Sequence, residues 1–173
     1  MSGKRYTFEL ARSPQEIRAY FRLRQSIFCD EQGLFRGHDE DETDAIAYPI
    51  IAVEHDVIAG PRVVGVVRIY EAESRLWYGG RLGVHRDYRR VGRIGKGLIH
   101  KAVTTANTWG CDRFLATVQL QNVRFFQRLH WESLQEIDLC GHPHHLMEAD
   151  LAFYPPGNEA RPALAQSQSR KVS

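Results

Sequence analysis

The stretch Arg81–Trp109, RLGVHRDYRRVGRIGKGLIHKAVTTANTW, decides how the rest of the chain is read. Leu82, Gly83 and Val84 close a β-like run. A basic, glycine-punctuated loop follows, holding Arg89, Arg90, Gly92, Arg93, Gly95, Lys96 and Gly97. Beyond it Ile94, Leu98, Ile99, Ala102, Val103 and Ala106 recur at roughly the 3.6-residue helical period, an amphipathic helix ending before Gly110. Strand, glycine- and arginine-rich turn and helix start together make an anion site. The first-turn N–H groups have no intrahelical partner, and the helix dipole adds roughly half a positive charge there. Glycine lets the backbone approach a ligand, whereas guanidinium groups beside a helix start oppose the dipole unless an anion joins them.

The spacing narrows the anion. The P-loop pattern G-x-x-x-x-G-K-[ST] fails, with Arg90 at its first glycine and Gly97 at its hydroxyl position. The dinucleotide pattern G-x-G-x-x-G fails at His100. A pyrophosphate held without an essential metal fits better, and coenzyme A carries one.

Working outward, 173 residues with 43% hydrophobic and 25% charged content form one domain of an ordinary globular kind. A net charge of +2 gives no grounds for nucleic acid or membrane binding by the whole protein. No apolar run approaches the roughly 18–20 residues that span a bilayer, and the start Met1–Lys4 lacks a signal-peptide pattern. Three scattered cysteines (Cys29, Cys111, Cys140) favour reduced thiols and a cytoplasmic setting.

Arg5–Leu10 alternates as a first strand. Ser13-Pro14-Gln15-Glu16 is a helix start, with Ser13 as N-cap, Pro14 in the first turn and Glu16 closing a capping box. That helix carries Ile17, Tyr20, Phe21, Leu23, Ile27 and Phe28 on one face, with Arg24 at its edge. From Cys29 to Ala47 a polar loop is expected, containing the acidic run Asp39, Glu40, Asp41, Glu42 and Asp44. It reads as a solvated loop or as an acidic wall for an ammonium group. Strands follow at Ile50–Glu54, Val63–Tyr70 and Trp77–Val84, the last with Gly79-Gly80 inside it, the mark of a bulge or of close backbone approach. Arg68, in an otherwise β-branched run, asks for a buried anionic partner. After the central helix come a strand at Phe114–Val118, a short helix over Asn122–Leu129 capped by Asn122, a strand at Ser133–Leu139 and a last strand at Leu146–Phe153. The histidines at 142, 144 and 145 lack a recognised zinc spacing, so no metal is expected. Pro155 to Ser173 reads as a disordered tail, leaving a single domain over residues 1–154. The order β-α-β-β-β-α-β-α-β-β implies an α/β (α+β) fold with a central mixed sheet flanked by helices.

That order, with its basic loop, resembles the GNAT superfamily of acyl-CoA N-acyltransferases from about Tyr6 to Tyr154. The family's [RQ]-x-x-G-x-[GA] motif corresponds to Arg90-Val91-Gly92-Arg93-Ile94-Gly95, with arginine at the first glycine position and Gly92 one residue early. Arg81-Leu82-Gly83-Val84 looks like its R-L-A-V segment, whose backbone runs along the pantetheine arm. Asn122–Trp131 looks like the segment ending F-Y-x-x-x-G-F, with Phe126 replacing the usual acid tyrosine and His130-Trp131 replacing Gly-Phe. Leu23–Gln32 and Gly141–Met147 resemble the ElaA-type branch, and the whole is similar to a bacterial GNAT group often encoded beside nitrilase-type genes. Arg24, Phe28, Asp41, Asp44 and Arg68 also look like the pattern of acyl-homoserine-lactone synthases, although Leu34 stands where those carry tryptophan.

The resemblance implies N-acyl transfer, most simply acetyl transfer, from acetyl-CoA or another acyl-CoA to a small-molecule amine, with a homodimer as a candidate assembly. On this reading the donor is held by Leu82, Gly83, Val84, Arg89, Arg90, Gly92, Arg93, Ile94, Gly95, Lys96, Asn122 and Phe126. Arg24, Phe28, Asp41, Asp44, Arg68 and Arg81 shape the acceptor pocket. Glu31, His130 and His144 are the candidate proton carriers, His144 first. Two alternatives stay open: a synthase of the acyl-homoserine-lactone kind using S-adenosylmethionine, and a non-catalytic acyl-CoA-binding subunit, suggested by Phe126.

Overall fold

The computed structural model describes residues 4–164. Helix α1 (Pro14–Gln25) starts as its sequence dictates: Ser13 Oγ accepts from the Glu16 amide at 3.1 Å and Glu16 Oε1 accepts from the Ser13 amide at 2.9 Å. The helix does not give way to a loop at Cys29. It continues as a π-turn over Ser26–Glu31, a wider winding common near functional sites.

Seven strands make one sheet: β1 (Arg5–Leu10), β2 (Tyr48–Asp56), β3 (Gly60–Glu73), β4 (Leu76–Val84), β5 (Arg113–Gln119), β6 (Trp131–Leu139) and β7 (His142–Ala149). Their spatial order is β1-β2-β3-β4-β5-β7-β6, antiparallel throughout except for the parallel β4–β5 pair. That pair needs a crossover, and α2 (Gly92–Thr108) supplies it. The expected mixed sheet with flanking helices is the observed fold.

Helices on both faces explain why the central strands are apolar at nearly every position. On β2, Ile50 and Ala52 pack with Leu98, Ala102 and Val103 of α2, while Ile51 and Val53 pack with Tyr20, Leu23 and Ile27 on the other side. Two glycines let α2 lie close. A Cβ at Gly65 would stand 2.7 Å from Leu98 Cδ1, and one at Gly97 would stand 2.1 Å from Phe8 Cζ. Gly97 is therefore a packing residue inside the helix and takes no part in an anion loop.

Two expectations are corrected at the C-terminal end. The last strand is not Leu146–Phe153 but β7, because Cys140 and Gly141 both take positive φ (52° and 80°) and close a tight hairpin. The His-rich segment is thus strand. Nor does the chain leave the domain at Pro155. Trp109 Nε1 donates to Glu159 O at 2.8 Å, Lys101 pairs with Glu159 at 3.1 Å, and the Arg161 guanidinium lies over Trp77, Tyr48 and Trp109. Residues 165–173 of the expected tail lie outside the described residues.

Candidate active site

The site begins with a defect in the β3–β4 ladder. Arg68 pairs with Gly80 but Val66 pairs with Gly83, so β4 carries one extra residue there. Arg81 absorbs it at φ +50°, a left-handed conformation that a non-glycine residue adopts only under constraint. The bulge bends β4 away from β5. Their parallel pairing runs from Leu76↔Arg113 to Gly79↔Ala116 and stops. Past it, Gly80–Val84 stays with β3 while Thr117–Gln119 stays with β7.

The gap between the diverging strands is a cleft of about 840 Å³. Leu82, Phe126, Asn122 and His144 line it, as do Phe28, Arg68 and Arg81. Of the expected site residues these seven converge. Glu31 and His130 are not among its lining residues. Glu31 forms an ion pair with Arg89, so its carboxylate serves the loop. His130 takes φ +70° and stacks its ring on Phe153 with centroids 3.6 Å apart. That backbone conformation gives a physical reason for glycine at the matching family position. His130 thus packs on Phe153, away from the cleft lining.

His144 stays. Its Nδ1 lies 2.9 Å from the carbonyl oxygen of His142. A carbonyl only accepts, so Nδ1 carries the proton and Nε2 of the neutral ring is left as the acceptor. Phe126 is buried, edge-on to Trp131 with centroids 5.1 Å apart, and brings no hydroxyl to the cleft. Asn122 makes no side-chain cap; it lies in a short 3-10 turn, Leu120–Asn122, before α3 (Val123–Arg128).

At the far end of β4 the chain turns through Arg86–Tyr88 into α2. Tyr88 is pinned from below: its hydroxyl donates to Glu54 Oε1 at 3.0 Å, and burial together with that bond raises its pKa. Its carbonyl accepts from Val91 N at 3.0 Å, tying the turn to the helix start. Helix α2 begins at Gly92, so the first-turn amides are those of Gly92, Arg93, Ile94 and Gly95, and the Ile94 side chain is fully buried beneath them. The cations sort into two groups. Arg93 folds back over Tyr6 at 4.8 Å and donates to Lys4 O, which turns it away from an anion at the helix start. Arg89 donates to Val84 O at 3.0 Å. Arg90 and Lys96 remain exposed beside the helix start.

The acceptor side differs most from expectation. Asp39, Asp41 and Asp44 do not form an acidic wall, because three arginines neutralise them. Arg24, wholly buried, donates to Asp39 Oδ2 at 2.7 Å and to Asp44 Oδ1 at 2.6 Å. Arg68 forks onto Asp41 at 2.7 and 3.1 Å, and Arg81 reaches Asp39 at 3.2 Å. With no exposed surface, Arg24 cannot touch a substrate; it anchors the Asp39–Asp44 segment. Burial opposes its charge, but its hydrogen bonds to Asp44 and Asp39 outweigh that and raise its pKa. Tyr20 beneath it is pushed up to about 12 by burial. The Arg68 bonds hold the Asp41 carboxyl below its usual range. For Asp44, burial acts upward, but the Arg24 bond wins and the direction is down. In the sequence Asp39 is one member of the acidic run, with nothing to mark it as a partner of Arg24. Its role follows only from a buried arginine one helix away in space.

Known proteins share this fold. The family model described as the acetyltransferase (GNAT) family matches residues 12–131. A Bacillus subtilis (strain 168) protein, described by inference as an acetyltransferase, is 27% identical over 139 residues, covering 78% of this chain and 90% of its own. Among solved structures, an N-acetyltransferase-like protein of Lactobacillus plantarum superposes with a TM-score of 0.71 at 22% identity, over 83% of this chain and 97% of that one. Escherichia coli ElaA gives 0.67 at 18% identity, over 86% and 100%. The CoA-dependent acyl-homoserine lactone synthase BjaI, solved with SAM and isopentyl-CoA, gives 0.66 at 16% over 98% and 100%. At these identities the structures speak for the fold, and the family match speaks for descent: this chain belongs to the GNAT acetyltransferase family.

Proposed function

We propose that the protein transfers an acyl group, most simply acetyl, from acyl-CoA to the amine of a small molecule. The observation that carries this is the bulge at Arg81, where β4 parts from β5 and the cleft opens between them. Amides on the Leu82–Val84 edge, which has no β5 partner, suit the pantetheine arm and polarisation of the thioester carbonyl. Helix-start amides with Arg90 and Lys96 suit the pyrophosphate. Bound acyl-CoA supplies the activated acyl group.

The chain's own residues supply position and proton movement. The cleft walls hold the amine beside the thioester, which removes most of the entropic cost of their meeting. His144 Nε2 takes a proton from the amine. As the C–N bond forms and the C–S bond breaks, the same imidazolium returns a proton to the departing thiolate, a duty that Phe126 cannot perform.

Incubation with acetyl-CoA and a panel of amines, following free thiol, tests the reading. Thiol release with simple amines supports it. Release only with S-adenosylmethionine would favour the acyl-homoserine-lactone type of synthesis. Tight CoA binding without turnover for any amine would leave an acyl-CoA-binding protein.

A further inference from the structure

The polar groups on the acceptor side of the cleft are almost all spent on one another. Three guanidinium groups face three carboxylates there, and within the cluster the Arg24 and Arg68 side chains are buried. One cleft-lining donor is left over. Arg68 Nε has no hydrogen-bond partner among the described residues, although its side chain is only 6% exposed. Leaving a buried donor unmet is costly, and a charged one more so. Such a group persists where something else meets it.

The surroundings say from which side. Arg68 stands opposite Gly80 on β4. A Cβ at position 80 would lie 3.7 Å from Arg68 Nε and within 4 Å of no other non-adjacent residue. The missing side chain therefore leaves an open spot between the donor and the cleft. Gly80 takes no positive φ, so backbone conformation does not demand glycine there. Next along β4 the Arg81 guanidinium lies over the Phe35 ring at 4.4 Å. Burial and then the neighbouring Arg68 charge lower its pKa. A carboxylate arriving there would accept from the unpaired Arg68 Nε. A second ammonium would not.

We infer that the acceptor amine carries a carboxylate, seated at the Gly80 opening against Arg68 Nε with Arg81 beside it. The substrate class is then an α-amino acid, whose amine points along the cleft toward the thioester. Phe28, Phe35 and the stacked Tyr70–Tyr78 pair offer its side chain an apolar and aromatic bed. This rests on the acyl-transfer reading above, and the test separates the two.

Thiol release from acetyl-CoA is measured with the common α-amino acids, each set beside its own decarboxylated amine. At least one amino acid should exceed its decarboxylated partner in kcat/KM by about tenfold or more, the worth of one charge-assisted hydrogen bond. Gly80→Ala places a methyl group against Nε without disturbing the ion pairs. It should raise KM for that amino acid several-fold while KM for acetyl-CoA moves little. Decarboxylated amines that react as well as the amino acids would overturn the inference and leave acyl transfer standing. Absence of thiol release with every amine would count against acyl transfer itself. Calorimetry of the same amino acids, with CoA present, then decides the carboxylate site: binding weakened by Gly80→Ala supports it, and no binding overturns it.

Discussion

Arg24 and Asp44 are joined by two hydrogen bonds, Nη1 to Oδ1 at 2.6 Å and Nη2 to Oδ2 at 3.1 Å, with the arginine side chain wholly out of water. The pair pins the acidic segment to α1 from below the cleft. Removing one partner of a buried pair strands the other charge. Arg24→Ala should therefore lower unfolding free energy by about 3–5 kcal/mol, read by chemical denaturation at neutral pH. Arg24→Lys should recover only part of it, since lysine lacks the planar fork that meets Asp39 and Asp44 together. A loss under about 1 kcal/mol would mean that the pair behaves as a surface bridge.

The same cluster sets a pH dependence. Asp41 and Asp44 have pKa values held below their unfolded values by their arginine partners. Groups depressed in this way contribute stability that is full above the unfolded carboxylate pKa, near 4, and is lost as pH falls through the folded values. Stability should thus hold from neutral pH down to about pH 5 and fall below about pH 4. Asp44→Asn should show a shallower acid slope than the native chain, in parallel denaturation series. An equal slope would remove Asp44 from the account.

Gly97 sets two effects of opposite sign against each other. Glycine inside a helix costs up to about 1 kcal/mol relative to alanine, so propensity alone favours Gly97→Ala. A Cβ there would lie 2.1 Å from Phe8 Cζ, which forces β1 or α2 to move, and overpacking typically costs about 1–3 kcal/mol. The clash wins, and the variant should melt lower than the native protein. A higher melting temperature would mean that Phe8 swings aside freely.

His144→Gln tests the proton carrier. The variant keeps a polar side chain at the cleft mouth but has no group that can take and return a proton. Its kcat should fall about 10²-fold or more, the usual worth of a placed general base, while KM for acyl-CoA stays within about twofold. A fall in affinity with kcat intact would make His144 a binding residue.

Much of the fold was legible in the sequence because it rests on local signals. The Ser13–Glu16 capping box, the period of Ile94 to Ala106 and the β-branched run in β3 each act within one or two turns of chain, and each appears in its place. Gly79-Gly80 pointed correctly to irregularity in β4, although the bulge itself sits one residue on, at Arg81. What failed was long-range pairing. Asp39, Asp41 and Asp44 read as a free acidic run because their partners lie far off in the chain, on α1, β3 and β4. Arg93 joined the anion loop on paper because it is adjacent in sequence, whereas Tyr6 of β1 draws it away. Pro155–Leu164 has the composition of a tail, and only the assembled Tyr48, Trp77 and Trp109 cage gives Arg161 somewhere to bind.

The central claim is that the α2 helix start and its remaining cations hold the diphosphate of acyl-CoA. Calorimetric titration of coenzyme A into the native chain and into Arg90→Glu tests it most directly. Arg90 is exposed, so the exchange should leave the melting temperature nearly unchanged. The account predicts measurable CoA binding that weakens with added salt and an affinity for Arg90→Glu about tenfold lower or worse. Equal affinity for the two proteins would contradict it.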